Sequence, residues 1–351
     1  MNMPLSTDAL TQPESETGIH QRQEMTLPTP RELNQQLPLD ETIRCQVRSH
    51  RDAVRRILRG EDSRTLIVVG PCSIHDEVAA LEYGEKLKAL SDAVSDRFLI
   101  VMRAYLEKPR TTVGWKGLLY DPERTGSGDL REGLVRSRRL LLNLARIGLP
   151  LATEALSPLV MDYLGDLVTW TAIGARTTES QVHREMVSGL PMPTGFKNGT
   201  DGSIGVAVNA MKSAAHAHHH LGLSASGAPA MITTPGNPDT HLVLRGGRGI
   251  TNYDADSIRS AVRTLVDSGL SSAIMVDCSH DNACKVAERQ ADIAREVMAE
   301  HEGGLHQVRG LMLESFLEPG RQDDGADLLY GCSITDPCLG WEQTEALIRS
   351  L

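Results

Sequence analysis

The chain has 351 residues, is 40% hydrophobic and 23% charged, and carries a net charge of -10. That suits a soluble globular protein with a sizeable core, and the acidic balance disfavours general nucleic-acid binding. No apolar run approaches a membrane span and the N-terminus lacks a signal-peptide pattern, so the cytoplasm is the expected compartment. Aromatics make up only 3%, so the core must be aliphatic. The six cysteines show no short paired spacing of the zinc-finger kind and read as reduced thiols, one or two of them available as metal ligands.

Residues 1–38 are rich in Pro, Thr, Gln and Glu without periodicity, and read as a flexible N-terminal arm that a partner subunit could order. Residues 40–59 form an amphipathic helix ending at Gly60. From residue 65 the chain alternates. Short, continuously apolar strands are expected at 65–69, 98–102, 151–155, 168–173, 194–197, 241–245, 272–277 and 308–314. Helices are expected at 76–90, 130–147, 161–167, 179–187, 203–217, 254–268, 283–302 and 340–351. Residues 216–235 break the rhythm as a β-hairpin with arms at 218–223 and 230–234. Eight fully apolar strands, each followed by helix, point to parallel pairing covered on both faces. The expected architecture is α/β: a (β/α)8 TIM barrel over residues 39–351, with an N-terminal extension and the hairpin inserted before strand 6. A doubly wound open sheet is the alternative.

In such a barrel the chemistry lies at the C-terminal ends of the strands. Those ends carry Cys72, Arg103, Glu154, Arg176, Lys197, Arg245, His280 and Glu314 in turn. The loop after the second strand adds Lys108, Arg110 and Thr111, with Pro109 stiffening it. Six cations at one mouth of an acidic protein imply polyanionic ligands, phosphates or carboxylates. Gly174 to Thr178 and the Gly-flanked Lys197 loop suit the same ligands, but neither is a P-loop, so no nucleotide is indicated. Cys72, His280, Glu314 and Asp336 are metal-ligand types of mixed softness. Taken singly, each has a plainer reading: a small buried thiol, a core histidine, carboxylates pairing with the cations. Their joint place on one barrel face points to a metal. Glu154 reads as a partner for an arginine or a water, and Asp277 as a residue orienting a ligand or a cation.

Seven stretches then carry a resemblance: VVGPCSIHD (68–76), EKPRTTVGWKG (107–117), GARTTESQVHRE (174–185), GFKNGTDG (195–202), HLVLRGG (241–247), DCSHDN (277–282) and SITDPCLGW (333–341). They resemble the class I, aromatic-amino-acid-regulated microbial synthases of 3-deoxy-D-arabino-heptulosonate 7-phosphate (DAHP), from about residue 44 to 351. The resemblance implies condensation of phosphoenolpyruvate with erythrose 4-phosphate, the entry step of the shikimate pathway. It implies one divalent metal ion (Mn, Fe, Co or Zn) on Cys72, His280, Glu314 and Asp336. It places phosphoenolpyruvate on Arg103, Lys108, Arg176, Lys197 and Arg245, with Glu154 and His280 nearby, and the phosphate of erythrose 4-phosphate on Arg110 and Thr111. Lys108, Glu154 and His280 are the expected catalytic residues. A homodimer or homotetramer is implied, with an aromatic amino acid as effector. A condensation with another sugar phosphate aldehyde and a non-catalytic regulatory paralog are the competing readings. Oxidation could pair Cys72 with Cys338 and eject the metal.

The hairpin, HAHHHLGLSASGAPAMITTP, matches least. In the family it helps form the feedback site together with the arm and the loop near Gly189, Leu190 and Pro191. The phenylalanine-sensitive branch has an aromatic where His220 stands, which favours tyrosine or tryptophan as effector; an insensitive or chorismate-sensing enzyme is the other possibility. His216, His218, His219 and His220 read as surface or interface residues, because strand alternation sends neighbours to opposite faces.

Overall fold

The computed structural model describes residues 24–351. Ten strands and ten α-helices are present among them. Eight strands close into a barrel: β1 (Thr65–Gly70), β2 (Phe98–Arg103), β3 (Leu151–Glu154), β4 (Trp170–Ile173), β5 (Thr194–Lys197), β8 (Thr240–Leu244), β9 (Ile274–Asp277) and β10 (Val308–Glu314). Each is parallel to its neighbours, and β10 pairs with β1 from Leu66↔Gly310 to Gly70↔Glu314 to close the ring. The barrel is thus of the (β/α)8 class, as the apolar strand rhythm predicted.

The helices around it are α3 (Glu77–Ala93), α4 (Leu130–Ile147), α5 (Val160–Leu164), α6 (Gln181–Gly189), α7 (Gly205–Ala214), α8 (Ala255–Asp267), α9 (Arg289–Glu302) and α10 (Trp341–Ser350). Before them come α1 (Pro30–Gln36) and α2 (Glu41–Arg59). The side chain of Asp40 accepts from Ile43 N at 2.9 Å and starts α2. Its face of Val54, Ile57 and Leu58 packs with the barrel interior, where Leu66, Val68, Val101, Val243, Met275 and Met312 surround Trp170. Since α2 ends just before β1 begins, it plugs the N-terminal end and leaves the opposite end for the site. Trp170 is fully buried, and its Nε1 donates to His241 Nε2 at 2.9 Å. Burial pushes the His241 imidazolium down to about 4, so the ring stays neutral and can accept. Replacing so large an interior side chain by alanine costs about 3–5 kcal/mol.

The arm expected over residues 1–38 lies mostly outside the described residues. Its last part is α1, where Thr29 and Glu32 form a capping box and Leu33 is buried. The hairpin is β6 (His218–Leu223) against β7 (Pro229–Thr234), inserted between β5 and β8 as a separate two-stranded sheet. Two helices differ from the periodicity. The helix expected at 283–302 begins at Arg289, because Cys284 and Lys285 take left-handed backbone angles (φ 52 and 60). There Lys285 N donates to His280 O at 3.0 Å, closing a turn instead of a helix. The one expected at 161–167 splits into α5 and a 3-10 turn, Gly165–Leu167.

Candidate active site

Every strand-end residue singled out above lies at the C-terminal mouth, around a cavity of about 740 Å³ lined by Cys72, Arg103, Lys108, Arg110, Thr111, Glu154, Arg176, Lys197, Arg245, His280, Glu314 and Asp336. The approach of β1 to β2 needs Gly70: a Cβ there would meet Arg103 O at 2.8 Å, and its φ is 153. This lets the chain run on through Pro71 to Cys72 beside Arg103.

The loop after β2 is closed at its base. Lys108 N donates to Lys116 O at 2.8 Å and Leu119 N to Leu106 O at 3.2 Å. Gly117 makes that closure, since a Cβ would stand 2.2 Å from Leu106 O. The carboxylate of Glu107 ties this base to the chain beyond β3, accepting from Tyr120 OH at 3.2 Å and Ser157 N at 3.4 Å. Burial pushes Glu107 up to about 7.

Four of the six cations face carboxylates. Arg103 Nη2 meets Glu314 Oε1 at 3.1 Å, Lys108 Nζ meets Asp336 Oδ2 at 2.8 Å, Lys197 Nζ meets Asp277 Oδ2 at 2.8 Å, and Arg245 Nη1 meets Asp281 Oδ2 at 2.7 Å. Arg110 and Arg176 have no carboxylate partner among the described residues; Arg176 donates to Thr111 Oγ1 at 3.1 Å, joining the β2 and β4 loops. Cation charge is therefore left over on the side of Arg110, Thr111 and Arg176, where an anion can bind.

Cys72, Glu314 and Asp336 bring their donor atoms within 4.8 Å of one another. Lys108 Nζ donates to both Cys72 Sγ, at 2.9 Å, and Asp336 Oδ2, at 2.8 Å. A positive charge thus already rests against this donor set, which fits a divalent cation of intermediate softness. His280, the fourth expected ligand, stands beside this group of three, not within it. Ser279 Oγ donates to Asp277 Oδ1 at 2.6 Å, and His280 Nδ1 lies 2.9 Å from Asp277 Oδ2. Nδ1 also lies 2.7 Å from Ser279 Oγ, and Nε2 lies 4.0 Å from Glu314 Oε1. Despite burial, His280 and Lys197 hold Asp277 well below the usual carboxylate range. Burial and then Glu314 push the Cys72 thiol up to about 12. Burial opposes the Lys108 ammonium, but Cys72, Asp336 and Glu314 outweigh it and hold lysine charged.

Sequence reading passed over Tyr105, Ser279, Asp281, Lys285 and Gln290, which also line the cavity. Gln290 grips the backbone of Glu314 twice, through Glu314 N at 2.8 Å and Glu314 O at 3.1 Å. Tyr105 had a signal: it stands two residues beyond Arg103 on an extended chain. Gln290 and Lys285 had none, because their places depend on the turn after His280. The four hairpin histidines do not gather. His216 Nδ1 bonds Lys212 O, His218 Nε2 bonds Ser213 O, His219 Nδ1 bonds Thr233 Oγ1 and His220 Nδ1 bonds Leu221 O, so each has its own local partner. All six cysteines, Cys72 and Cys338 included, are free thiols.

A (β/α)8 barrel with a cation-lined, thiol- and carboxylate-bearing mouth is the architecture of barrel enzymes acting on small phosphorylated anions. Comparison with known proteins narrows that class. The DAHP synthetase I family matches residues 35–349, and this chain belongs to it. It is 48% identical over 337 residues to the Tyr-sensitive phospho-2-dehydro-3-deoxyheptonate aldolase of Escherichia coli (strain K12), covering 95% of this chain and 94% of that one. To the Phe-sensitive aldolase of the same organism it is 47% identical, with 91% of each chain covered. The solved structure of a phospho-2-dehydro-3-deoxyheptonate aldolase from Francisella tularensis SCHU S4 superposes with a TM-score of 0.92 at 41% identity, covering 94% of this chain and 97% of that one.

Proposed function

We propose that this protein condenses phosphoenolpyruvate with D-erythrose 4-phosphate and water to give DAHP and inorganic phosphate, a 3-deoxy-7-phosphoheptulonate synthase opening the shikimate route to chorismate and the aromatic amino acids. The observation that carries this is the convergence of six cations and a cation-ready donor set on one cavity, in a member of the DAHP synthetase I family.

Arg103, Lys108, Arg176, Lys197 and Arg245 hold the carboxylate and phosphate of phosphoenolpyruvate. Arg110 and Thr111 hold the phosphate of erythrose 4-phosphate. Fixing both substrates turns a bimolecular encounter into a positioned reaction. Cys72, His280, Glu314 and Asp336 hold one divalent ion (Mn, Fe, Co or Zn), which when bound supplies Lewis-acid polarisation of the aldehyde carbonyl. Carbon 3 of phosphoenolpyruvate attacks that carbonyl, and Lys108, kept charged by its neighbours, donates to the oxygen that becomes alkoxide. Positive charge develops at carbon 2, where water adds. Glu154 takes the water's proton, and the hemiketal phosphate collapses with C–O cleavage, releasing phosphate. Phosphate release measured with both substrates, each alone, and both plus a chelator tests the reading. Release only with both substrates and free metal is the expected result; release from one substrate alone sinks it.

The enzyme is feedback-regulated by an aromatic amino acid, with tyrosine or tryptophan preferred over phenylalanine. A second cavity, of about 770 Å³, supports this: it lies between α2, Gly189 to Pro191 and the hairpin, with His220, Leu223 and Ile232 on its wall. Identity alone does not rank the effectors, since Tyr-, Trp- and Phe-sensitive relatives are 48, 47 and 47% identical. Inhibition curves with each amino acid decide it. Residues 39–351 act as one catalytic domain of a cytoplasmic homodimer or homotetramer; no helix among the described residues is long and apolar enough to cross a membrane.

A further inference from the structure

Tyr105 lies two residues past the end of β2, on the same side of the extended chain as Arg103. Its ring lies under the Arg103 guanidinium, whose carbon is 3.9 Å from the ring centroid, a cation–π seat. It lines the active-site cavity yet is only 4% exposed. Its hydroxyl is buried and has no hydrogen-bond partner among the described residues. The groups around it are matched by contrast: Arg103 with Glu314, and Lys197 and His280 with Asp277. A buried hydroxyl left without a partner costs about 1–3 kcal/mol, so one at the wall of a binding cavity calls for an explanation. Burial pushes the phenol well above the ordinary tyrosine range, with Glu154, Asp277 and Glu314 adding to it against the pull of Arg103. The O–H therefore stays a neutral donor at any working pH.

We propose that the Tyr105 hydroxyl is a substrate-binding donor whose partner is an oxygen of the phosphoenolpyruvate held on Arg103. This rests on the phosphoenolpyruvate reading above. Phosphoenolpyruvate is the substrate concerned because Tyr105 shares the buried base of the loop with Arg103, whereas Arg110 and Thr111 stand exposed farther along it. The free protein tolerates an unpaired donor there because binding pairs it, which makes the hydroxyl a site of function and not of folding.

Tyr105→Phe tests this directly, since it keeps the ring beneath Arg103 and deletes one oxygen. In the metal-loaded enzyme, calorimetric titration should show the dissociation constant for phosphoenolpyruvate rising about 10-fold or more, the range for a hydrogen bond to a charged group. The KM for erythrose 4-phosphate should not move. The ligand-free variant should melt at the wild-type temperature or above it, because an unpaired buried hydroxyl has been removed. Equal phosphoenolpyruvate affinity in the two proteins overturns the proposal, as does a lower melting temperature, which would assign the hydroxyl a structural partner. Wild-type protein that binds no phosphoenolpyruvate overturns the substrate reading itself, and that outcome is visible without the variant.

Discussion

Two arginines seven residues apart meet different demands. Arg103 is buried and paired with Glu314, so its position is set before any ligand arrives. Arg110 is exposed and has no carboxylate partner among the described residues, so an incoming phosphate is its natural counter-charge. Arg110→Ala is expected to raise the KM for erythrose 4-phosphate about 10- to 100-fold, the worth of a charge-assisted bidentate contact, and to leave that for phosphoenolpyruvate within about 2-fold. Equal changes in both KM values would undo the division of the loop between two substrates. Lys108 bridges Cys72 and Asp336, and the proposed chemistry assigns it the alkoxide. Lys108→Ala should depress kcat by about 100-fold or more while the far-UV circular dichroism is unchanged, in line with the loss of one oxyanion donor. Near-normal turnover would remove Lys108 from the chemistry.

The β2 loop acts as an element because its base is locked, by two backbone bonds across the neck and by Glu107 reaching to Ser157. Glu107 is an acid raised from 4.5 to about 7 by burial, Ser157 and Tyr120 opposing the shift and the Glu154 charge adding to it. The folded protein therefore holds this proton to higher pH than the unfolded chain does. Its contribution to stability is fully present below about pH 4.5, falls as pH rises through about 7, and is flat above that, a swing of about 1–3 kcal/mol. Glu107→Gln cannot ionise. The difference in urea midpoint between wild type and this variant should change in the wild type's disfavour between pH 5 and pH 8; a difference that does not vary with pH would show that Glu107 does not titrate in this window. The hairpin is a second element with its own anchor, Ser188 Oγ at 2.5 Å from Thr234 Oγ1. That bond ties it to α6, whose N-terminal end follows the Arg176 turn.

At the scale of the whole molecule, the barrel divides labour between its ends. Trp170 and the α2 residues Val54, Ile57 and Leu58 fill the N-terminal end, and the C-terminal end gathers the charge. The proposed ligands Cys72, His280, Glu314 and Asp336 follow β1 and β9, end β10 and lie beyond it, so an ion bound by them would clamp the ring where β10 closes on β1. Chelator-stripped protein should therefore melt below the metal-loaded form, and an ion at 100 times its dissociation constant should add about 2.7 kcal/mol of stability. Cys72→Ser should blunt that thermal shift. A melting temperature indifferent to Mn, Fe, Co and Zn would argue against the donor set.

The sequence by itself determined the strand rhythm and the identity of the charged strand ends, because parallel strands buried on both faces must be continuously apolar and a charge at their ends stands out. The residue types for an anion site and a mixed donor set were equally legible, along with the motifs that resemble the family. Only the tertiary structure decided which charges meet. The pairing of Lys197 with Asp277, of Arg245 with Asp281, and of Lys108 with both Cys72 and Asp336 depends on loops whose conformation no periodicity encodes. The late start of α9 depends on left-handed backbone at Cys284 and Lys285, where helix propensity gives way to the turn that presents His280. The unpaired hydroxyl of Tyr105 is a statement about what surrounds an atom in space, and one-dimensional spacing holds no record of that.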